Sequence, residues 1–85
     1  MGKFAATVQK EGSFVFIALP FLPRDVWGPR PRFHVTGTIN GCVVRGCLGA
    51  QGSAYFLRLG AAWLRDSGIR PGDNVTVSLS PDPLD

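Results

Sequence analysis

One predicted β-hairpin carries the side chains that are best suited to chemistry. His34 faces Cys47 across this hairpin, and Arg45 lies two residues before Cys47 on the same face. An imidazole and a guanidinium beside a thiol are groups that lower a thiol pKa and create a nucleophile. No third residue that would orient His34 is evident, so we interpret this face as solvated. Cys47 and His34 stay as candidates for a remote alternative, thiol chemistry.

Metal binding and disulfide formation are both disfavoured by residue counts and spacing. The chain has one His and two Cys, whereas a closed zinc site needs about four nitrogen or sulfur ligands. Cys42 and Cys47 point to opposite faces of one strand and lie about 16 Å apart at the usual strand rise, too far for a disulfide. Carboxylates are too sparse for paired acid-base chemistry, and no Walker loop or dinucleotide fingerprint is present. We therefore predict no metal and no cofactor, and favour a protein that is not an enzyme.

The remaining candidates are binding residues. Trp27 lies in a proline-rich loop with Arg24, Arg30 and Arg32. An indole ring flanked by guanidinium groups can stack a planar anionic ligand or a single-stranded base. The simpler interpretation is a loop tryptophan that covers one end of the fold. The predicted ligand-binding residues are Trp27, Arg30, Arg32, Arg45 and Arg58.

Net charge alone does not indicate a nucleic-acid-binding protein. Nine basic and six acidic residues give a net charge of +3, and the seven arginines are spread along the chain. Surfaces that bind phosphate backbones are usually denser in positive charge. Only Arg24, Arg30 and Arg32 form a local concentration. They keep open an alternative in which these arginines and exposed hairpin threonines bind DNA or RNA.

The hairpin that carries Cys47 has the clearest local signal. Apolar and polar residues alternate from Arg32 to Ile39, and Asn40-Gly41 follows, a pair that favours a two-residue type I′ turn. A loop of this length fixes the register of the two strands. One set of side chains then faces the core, namely Phe33, Val35, Ile39, Cys42, Val44 and Leu48. The other set faces solvent, namely His34, Thr36, Thr38, Val43, Arg45 and Cys47.

The rest of the chain predicts four further strands and one helix. The strands are expected at residues 4–9, 14–19, 54–59 and 74–79, the first two as a hairpin. Pro23–Trp27 fits a single helical turn with proline at its first position. Residues 49–53 are predicted as a flexible turn. Ala61–Ser67 is predicted as the helix, capped by Gly68, with Trp63 in the core and one end of the fold plugged.

These elements predict one mainly β domain, a small closed β-barrel of about six strands with one short helix. A chain of 85 residues has room for one core, here residues 3–80, followed by a loose tail at residues 81–85. No apolar stretch approaches the roughly 20 residues of a membrane span, and no secretory signal is evident. We therefore expect a cytoplasmic protein without membrane contact, either a monomer or a homodimer.

Several segments of the chain resemble a known family. They are Phe4-Ala5-Ala6-Thr7-Val8, Leu19-Pro20, Val35-Thr36-Gly37-Thr38-Ile39-Asn40-Gly41, Arg45 and Gly72-Asp73-Asn74-Val75-Thr76-Val77. Together they are similar to the domain-of-unknown-function nineteen-oh-five family over nearly the whole chain. The resemblance implies a small closed β-barrel with one helix, found in bacteria and archaea, without an established activity. Gly46-Cys47 departs from the family, in which small hydroxyl residues are more usual at this place.

A second likeness covers only the part from Tyr55 to Leu79. The order of strand, short helix, Ile69-Arg70-Pro71-Gly72-Asp73 and strand resembles the swapped-hairpin domains of transition-state regulators. That resemblance implies DNA binding as a dimer. Several barrel families with other functions share the motif, so it bears on fold more than on function.

The sequence thus predicts an uncharacterised domain that binds a small molecule or a protein partner. The mouth of the site would lie between the loop at residues 21–32 and the turn at residues 49–53. Its anchors would be Trp27, Arg45 and Arg58. A nucleic-acid-binding module is the alternative.

Overall fold

The computed structural model describes residues 2–82, which form eight strands and two short helices. In chain order these are β1 (Gly2–Thr7), β2 (Gln9–Glu11), β3 (Phe14–Ala18), α1 (Pro23–Trp27), β4 (His34–Ile39), β5 (Cys42–Cys47), β6 (Gly49–Gln51), β7 (Ala54–Arg58), α2 (Ala61–Ser67) and β8 (Asn74–Pro81).

The strands are arranged in two antiparallel sheets. The first sheet has the order β1-β8-β4-β5, and the second has the order β2-β3-β7-β6. The mainly β class is confirmed. Within residues 2–82 neither sheet closes on itself, so the prediction of a closed barrel of about six strands is wrong.

Two breaks in the strands explain this difference. Val8 separates β1 from β2, and Leu48 separates β5 from β6. At each break the chain passes from an edge of the first sheet to an edge of the second. The Val8 amide donates to the Asp73 carbonyl at 2.9 Å, and the Leu48 amide donates to the Phe33 carbonyl at 2.8 Å. One predicted strand therefore becomes two, and the predicted turn at residues 49–53 contains β6.

The core lies between the two sheets. Alternate residues of the strands point inward and meet in a single cluster. The buried hydrophobic residues are Val8, Val15, Ile17, Leu19, Phe33, Val35, Ile39, Val44, Leu48, Leu57, Leu59, Ile69, Val75, Val77 and Leu79. Of the hairpin residues predicted to face the core, all belong to this set except Cys42, which is half-buried.

The central hairpin has the predicted turn and register. Asn40 and Gly41 have φ angles of 51° and 83°, which are the left-handed values that a type I′ turn requires. The pairing of β4 with β5 runs as predicted from Ile39 to His34. The burial of His34, Thr36 and Thr38 differs from the prediction, because these three side chains are half-buried and not fully exposed. The reason is that β8 pairs with the other side of β4, which makes β4 an interior strand.

Helix α2 has the predicted bounds, and Gly68 ends it with a left-handed φ of 75°. It does not plug the fold, because none of its residues is fully buried. Half-buried Trp63 and Leu64 pack against the core from outside, and Trp63 Nε1 donates to the Val43 carbonyl at 2.7 Å. Helix α1 is the predicted turn that begins with proline, so residues 2–82 contain two helices where one was expected. Neither helix is long and apolar enough to cross a membrane.

The end of β8 alters the predicted domain boundary. This strand extends to Pro81, and Asp82 beyond it is buried with 6% of its surface exposed. The first two residues of the predicted loose tail are therefore part of the fold. Residues 83–85 lie outside the described residues.

Candidate functional site

Trp27 belongs to a cluster of three aromatic rings that meet edge to face. Its ring meets the Phe21 ring nearly at a right angle, with centroids 5.5 Å apart, and Phe21 meets Phe4 in the same way at 5.7 Å. All three rings pack against the core. The buried Nε1 of Trp27 has no hydrogen-bond partner within residues 2–82. Trp27 is the last residue of α1 and not a loop residue, but its ring covers part of the core, as in the simpler interpretation.

Arg45 is engaged in an ion pair. Its Nε donates to Oδ2 of Asp82 at 2.5 Å. Arg45 lies on the first sheet, on the outer face that it shares with His34 and Cys47. Its charge is therefore partly balanced by a residue that the sequence analysis placed in a loose tail.

Arg58 is the last residue of β7 in the second sheet. The carbon Cζ of its guanidinium lies 5.1 Å from the centroid of the Phe14 ring, within the range of a cation–π contact. The structure therefore does not bring together the three anchors predicted for one site. Trp27 lies in the cluster of edge-to-face rings, Arg45 lies on the first sheet and Arg58 lies on the second.

A cavity is present at the predicted mouth, but the predicted anchors do not line it. It has a volume of about 270 Å³ and lies between residues 19–22 and residues 53–55. Its lining is Leu19, Pro20, Phe21, Leu22, Ser53, Ala54 and Tyr55. No charged side chain contributes to this lining, so the cavity offers no group to hold an anion.

Two of the predicted ligand-binding residues do share a cavity. It has a volume of about 330 Å³ and is lined by Arg30, Pro31, Arg32 and His34. We call it the basic cavity, because two guanidinium groups and an imidazole line it and no acidic residue does. Arg30 and Arg32 come from the segment that leads into β4, and His34 is the first residue of that strand.

The local sequence fixes the backbone of the basic cavity. Arg30 lies between Pro29 and Pro31, and Arg32 follows Pro31. Each proline has its φ fixed near −65°, and a residue that precedes proline is restricted to extended conformations. Arg30 precedes Pro31 and therefore starts from a restricted backbone, which lowers the entropy cost of binding a ligand.

Asp82 is the residue near this site that the sequence analysis missed. Its amide donates to the His34 carbonyl at 2.8 Å, so Cys47, His34 and Asp82 follow one another across three neighbouring strands. This is the order of a nucleophile, a base and an orienting carboxylate. The Cys47 thiol, however, contacts the Leu48 carbonyl at 3.7 Å. The alternation of Val75, Val77, Leu79 and Pro81 was the signal that could have extended β8 to the residue before Asp82.

The geometry does not supply a metal centre. Within residues 2–82, no group of three or more His, Cys, Asp or Glu side chains is arranged to hold a metal ion. Both cysteines are free, and Cys47 is the exposed one.

A second surface, on the outer face of the second sheet, was not predicted from the sequence. Phe14 and Phe16 of β3 lie beside Phe56 of β7, with ring centroids 5.2–5.7 Å apart. These residues fell within runs that were interpreted only as strands. We call them the outer phenylalanines.

Comparison with known proteins identifies one family. A family model described as a domain of unknown function (DUF1905) matches residues 4–79. This range includes both helices and all or most of every strand, so the family resemblance drawn from the sequence is confirmed. A comparison with curated proteins finds no match.

Proposed function

This chain belongs to the DUF1905 family, and from that premise we propose that it is a non-catalytic binding module whose basic cavity holds a small anionic ligand. The observation that carries the proposal is the cavity lined by Arg30, Arg32 and His34 without an acidic residue. A guanidinium group has a rigid fork of donors that matches a carboxylate or a phosphate. Two such forks in one cavity favour an anion with more than one oxygen.

The volume of the basic cavity supports a small ligand. Sites for small molecules usually measure about 300–1,000 Å³, and this cavity, at about 330 Å³, is near the lower limit. Trp27 does not line it, so we do not retain stacking on this ring as the mode of recognition. Charge and hydrogen bonds from the two arginines would supply the affinity.

A carboxylate lies near the basic cavity. Asp82 follows His34 across the sheet, and its Oδ2 accepts the hydrogen bond from Arg45. We assign the contacts with the ligand to Arg30 and Arg32. Both arginines are exposed, so we expect affinity to weaken as ionic strength rises.

The experiment is a titration of the ¹⁵N-labelled protein with inorganic phosphate and with citrate, followed by NMR. We expect saturable shifts at the amides of residues 30–34 that disappear in the Arg30→Gln/Arg32→Gln double variant. The matched control is Arg65→Gln/Arg70→Gln, which removes the same charge at two exposed positions elsewhere. Absence of saturable shifts with both anions, or equal loss in the control, would overturn the proposal.

Oligonucleotide binding at several salt concentrations tests the nucleic-acid alternative, which would use Arg24 with Arg30 and Arg32. Each contact with a phosphate of single-stranded nucleic acid adds about −0.7 to the slope of log affinity against log salt. Oligonucleotide binding with a slope of about −2 or steeper, and no saturable binding of phosphate or citrate, would favour this alternative. Absence of oligonucleotide binding at low salt would exclude it.

A further inference from the structure

The outer phenylalanines lie on the outward face of the second sheet. On β3 they alternate with Val15 and Ile17, which are buried in the core. The half-buried hydrophobic residues that pack against the core are Phe4, Ala6, Phe21, Trp27, Tyr55, Trp63 and Leu64, and the outer phenylalanines are not among them. The outward face of an antiparallel sheet is usually polar. The three rings there are half-buried, so part of each ring remains open to a ligand.

The rings are held at angles to one another. Phe14 and Phe56 meet at 80°, Phe16 and Phe56 at 64°, and Phe14 and Phe16 at 39°. Gly49 helps to fix this arrangement, because a Cβ atom at that position would overlap the Phe56 ring. The Phe56 ring thus lies across the backbone of β6, and the three π faces point in different directions.

A cavity of about 250 Å³ opens on these rings. It is lined by Phe14, Phe16, Phe56, Glu11 and Gln51, and we call it the aromatic pocket. The Glu11 carboxylate is the charged group of this lining, and Gln51 adds an amide. The face of an aromatic ring carries negative electrostatic potential. Rings, carboxylate and amide oxygen therefore all attract a cation, and the apolar surface favours one that carries alkyl groups.

One cation already uses this surface. The Arg58 guanidinium lies over the Phe14 ring, 5.1 Å from its centroid, within the range of a cation–π contact. Arg58 does not contribute to the lining of the aromatic pocket. It leaves the space between Glu11 and Gln51 to a second, smaller cation, and its own charge weakens the binding of that cation.

We propose that the aromatic pocket binds a small organic cation, specifically a free alkylated ammonium compound. Quaternary ammonium groups are recognised by clustered aromatic rings. The pocket measures about 250 Å³, below the usual range for drug-sized ligands, so it suits an ammonium head group. An extended peptide is disfavoured because the edge strands β2 and β6 have three residues each and offer few backbone groups for strand addition.

This site is independent of the basic cavity. It selects the opposite charge and lies on the second sheet, whereas His34 of the basic cavity lies on the first. Phosphate binding at residues 30–34 and ammonium binding at the aromatic pocket can therefore succeed or fail separately.

The test is an NMR titration with tetramethylammonium chloride at constant ionic strength, with tert-butanol as a neutral probe of similar shape. We expect saturable shifts at Glu11, Phe14, Gln51 and Phe56 with the cation and none of comparable affinity with the alcohol. A lack of saturable shifts, or equal affinity for both probes, overturns the proposal.

Variants supply the second part of the test. Glu11→Gln removes the carboxylate and should weaken tetramethylammonium binding about fivefold, and Phe56→Leu removes one ring and should weaken it about tenfold. Arg58→Gln removes the competing cation and should strengthen binding.

Asp66→Asn is the matched control, because Asp66 is an exposed carboxylate on α2, and it should leave the affinity unchanged. Glu11 and Arg58 are exposed, so these two variants stay informative if Phe56→Leu does not fold. Equal effects of Glu11→Gln and Asp66→Asn would contradict the proposal.

Discussion

The Nε atom of Arg45 lies 2.5 Å from Oδ2 of Asp82 and links β5, across the intervening strand β4, to the residue that follows β8. Asp82 is 6% exposed and Arg45 is 58% exposed. We predict that Arg45→Gln lowers the free energy of unfolding by about 1–2 kcal/mol, because a buried carboxylate loses a charged donor while solvent screens part of the attraction. Urea denaturation of the two proteins measures the difference.

The control for this prediction is a second arginine with a weaker ion pair. Arg65 lies 3.8 Å from Asp66, and both side chains are 78% exposed. Arg65→Gln should therefore change the free energy of unfolding by less than about 0.5 kcal/mol. Equal losses in the two variants would show that the burial of Asp82 adds nothing to the pair.

Gly37 marks the closest approach of β4 to β8. A Cβ atom at this position would overlap the carbonyl oxygen of Ser78. Because that oxygen belongs to the backbone of an interior strand, it cannot move without disturbing the ladder. We predict that Gly37→Ala lowers the free energy of unfolding by about 3 kcal/mol or more, measured by urea denaturation.

Gly60 provides the comparison for Gly37. No heavy atom outside its neighbours lies within 4 Å of a Cβ built there, and its φ of −74° suits any residue. Gly60→Ala should cost less than about 1 kcal/mol, most of it from the poorer N-cap of α2. A similar loss at both positions would argue against a steric cause at Gly37.

The two tryptophans differ in the hydrogen bonding of the indole nitrogen. Trp63 Nε1 donates to the Val43 carbonyl at 2.7 Å, whereas the buried Trp27 Nε1 has no hydrogen-bond partner in the described part of the chain. We predict that Trp63→Phe costs about 1 kcal/mol more than Trp27→Phe, because it alone breaks a hydrogen bond. Thermal or urea unfolding of both variants measures the order. The reverse order would mean that ring volume outweighs the lost bond.

The two cysteines should differ in reactivity. Cys47 is exposed and Cys42 is half-buried, so an alkylating reagent should modify Cys47 first. The Cys47 thiol contacts the Leu48 carbonyl, and we therefore expect His34→Gln to change its rate by less than about twofold. Mass spectrometry over time provides the rates. If Cys47 reacts faster than a free model thiol and His34→Gln abolishes the difference, thiol chemistry by Cys47 and His34 becomes the better interpretation.

The sequence predicted best those features that depend on neighbouring residues. The turn at Asn40-Gly41, the register that it sets and the glycine that ends α2 are all decided by local backbone conformation. Burial of most of the inward-facing hairpin residues followed from that register, namely Phe33, Val35, Ile39, Val44 and Leu48. These features needed no knowledge of distant parts of the chain.

Features that depend on distant contacts were not predictable in this way. Val8 and Leu48 are apolar residues in extended segments, and nothing in their type shows that the chain changes sheets there. The partner of Asp82 lies 37 residues earlier in the chain. Phe14 and Phe16 alternate with buried residues in a run that is apolar throughout, so the run does not reveal which side faces solvent. The basic cavity was predicted in part, since the local sequence groups Arg30 with Arg32 but does not add His34.

The breaks at Val8 and Leu48 also bear on aggregation. Unpaired edge strands invite pairing with other chains, and short edges reduce that risk. Here all four edge strands come from two stretches of chain, each divided by one of these residues into a piece of six residues and a piece of three. Neither stretch presents one long open edge. Two buried aliphatic residues thus contribute to keeping copies of this protein apart, a role that their burial alone would not suggest.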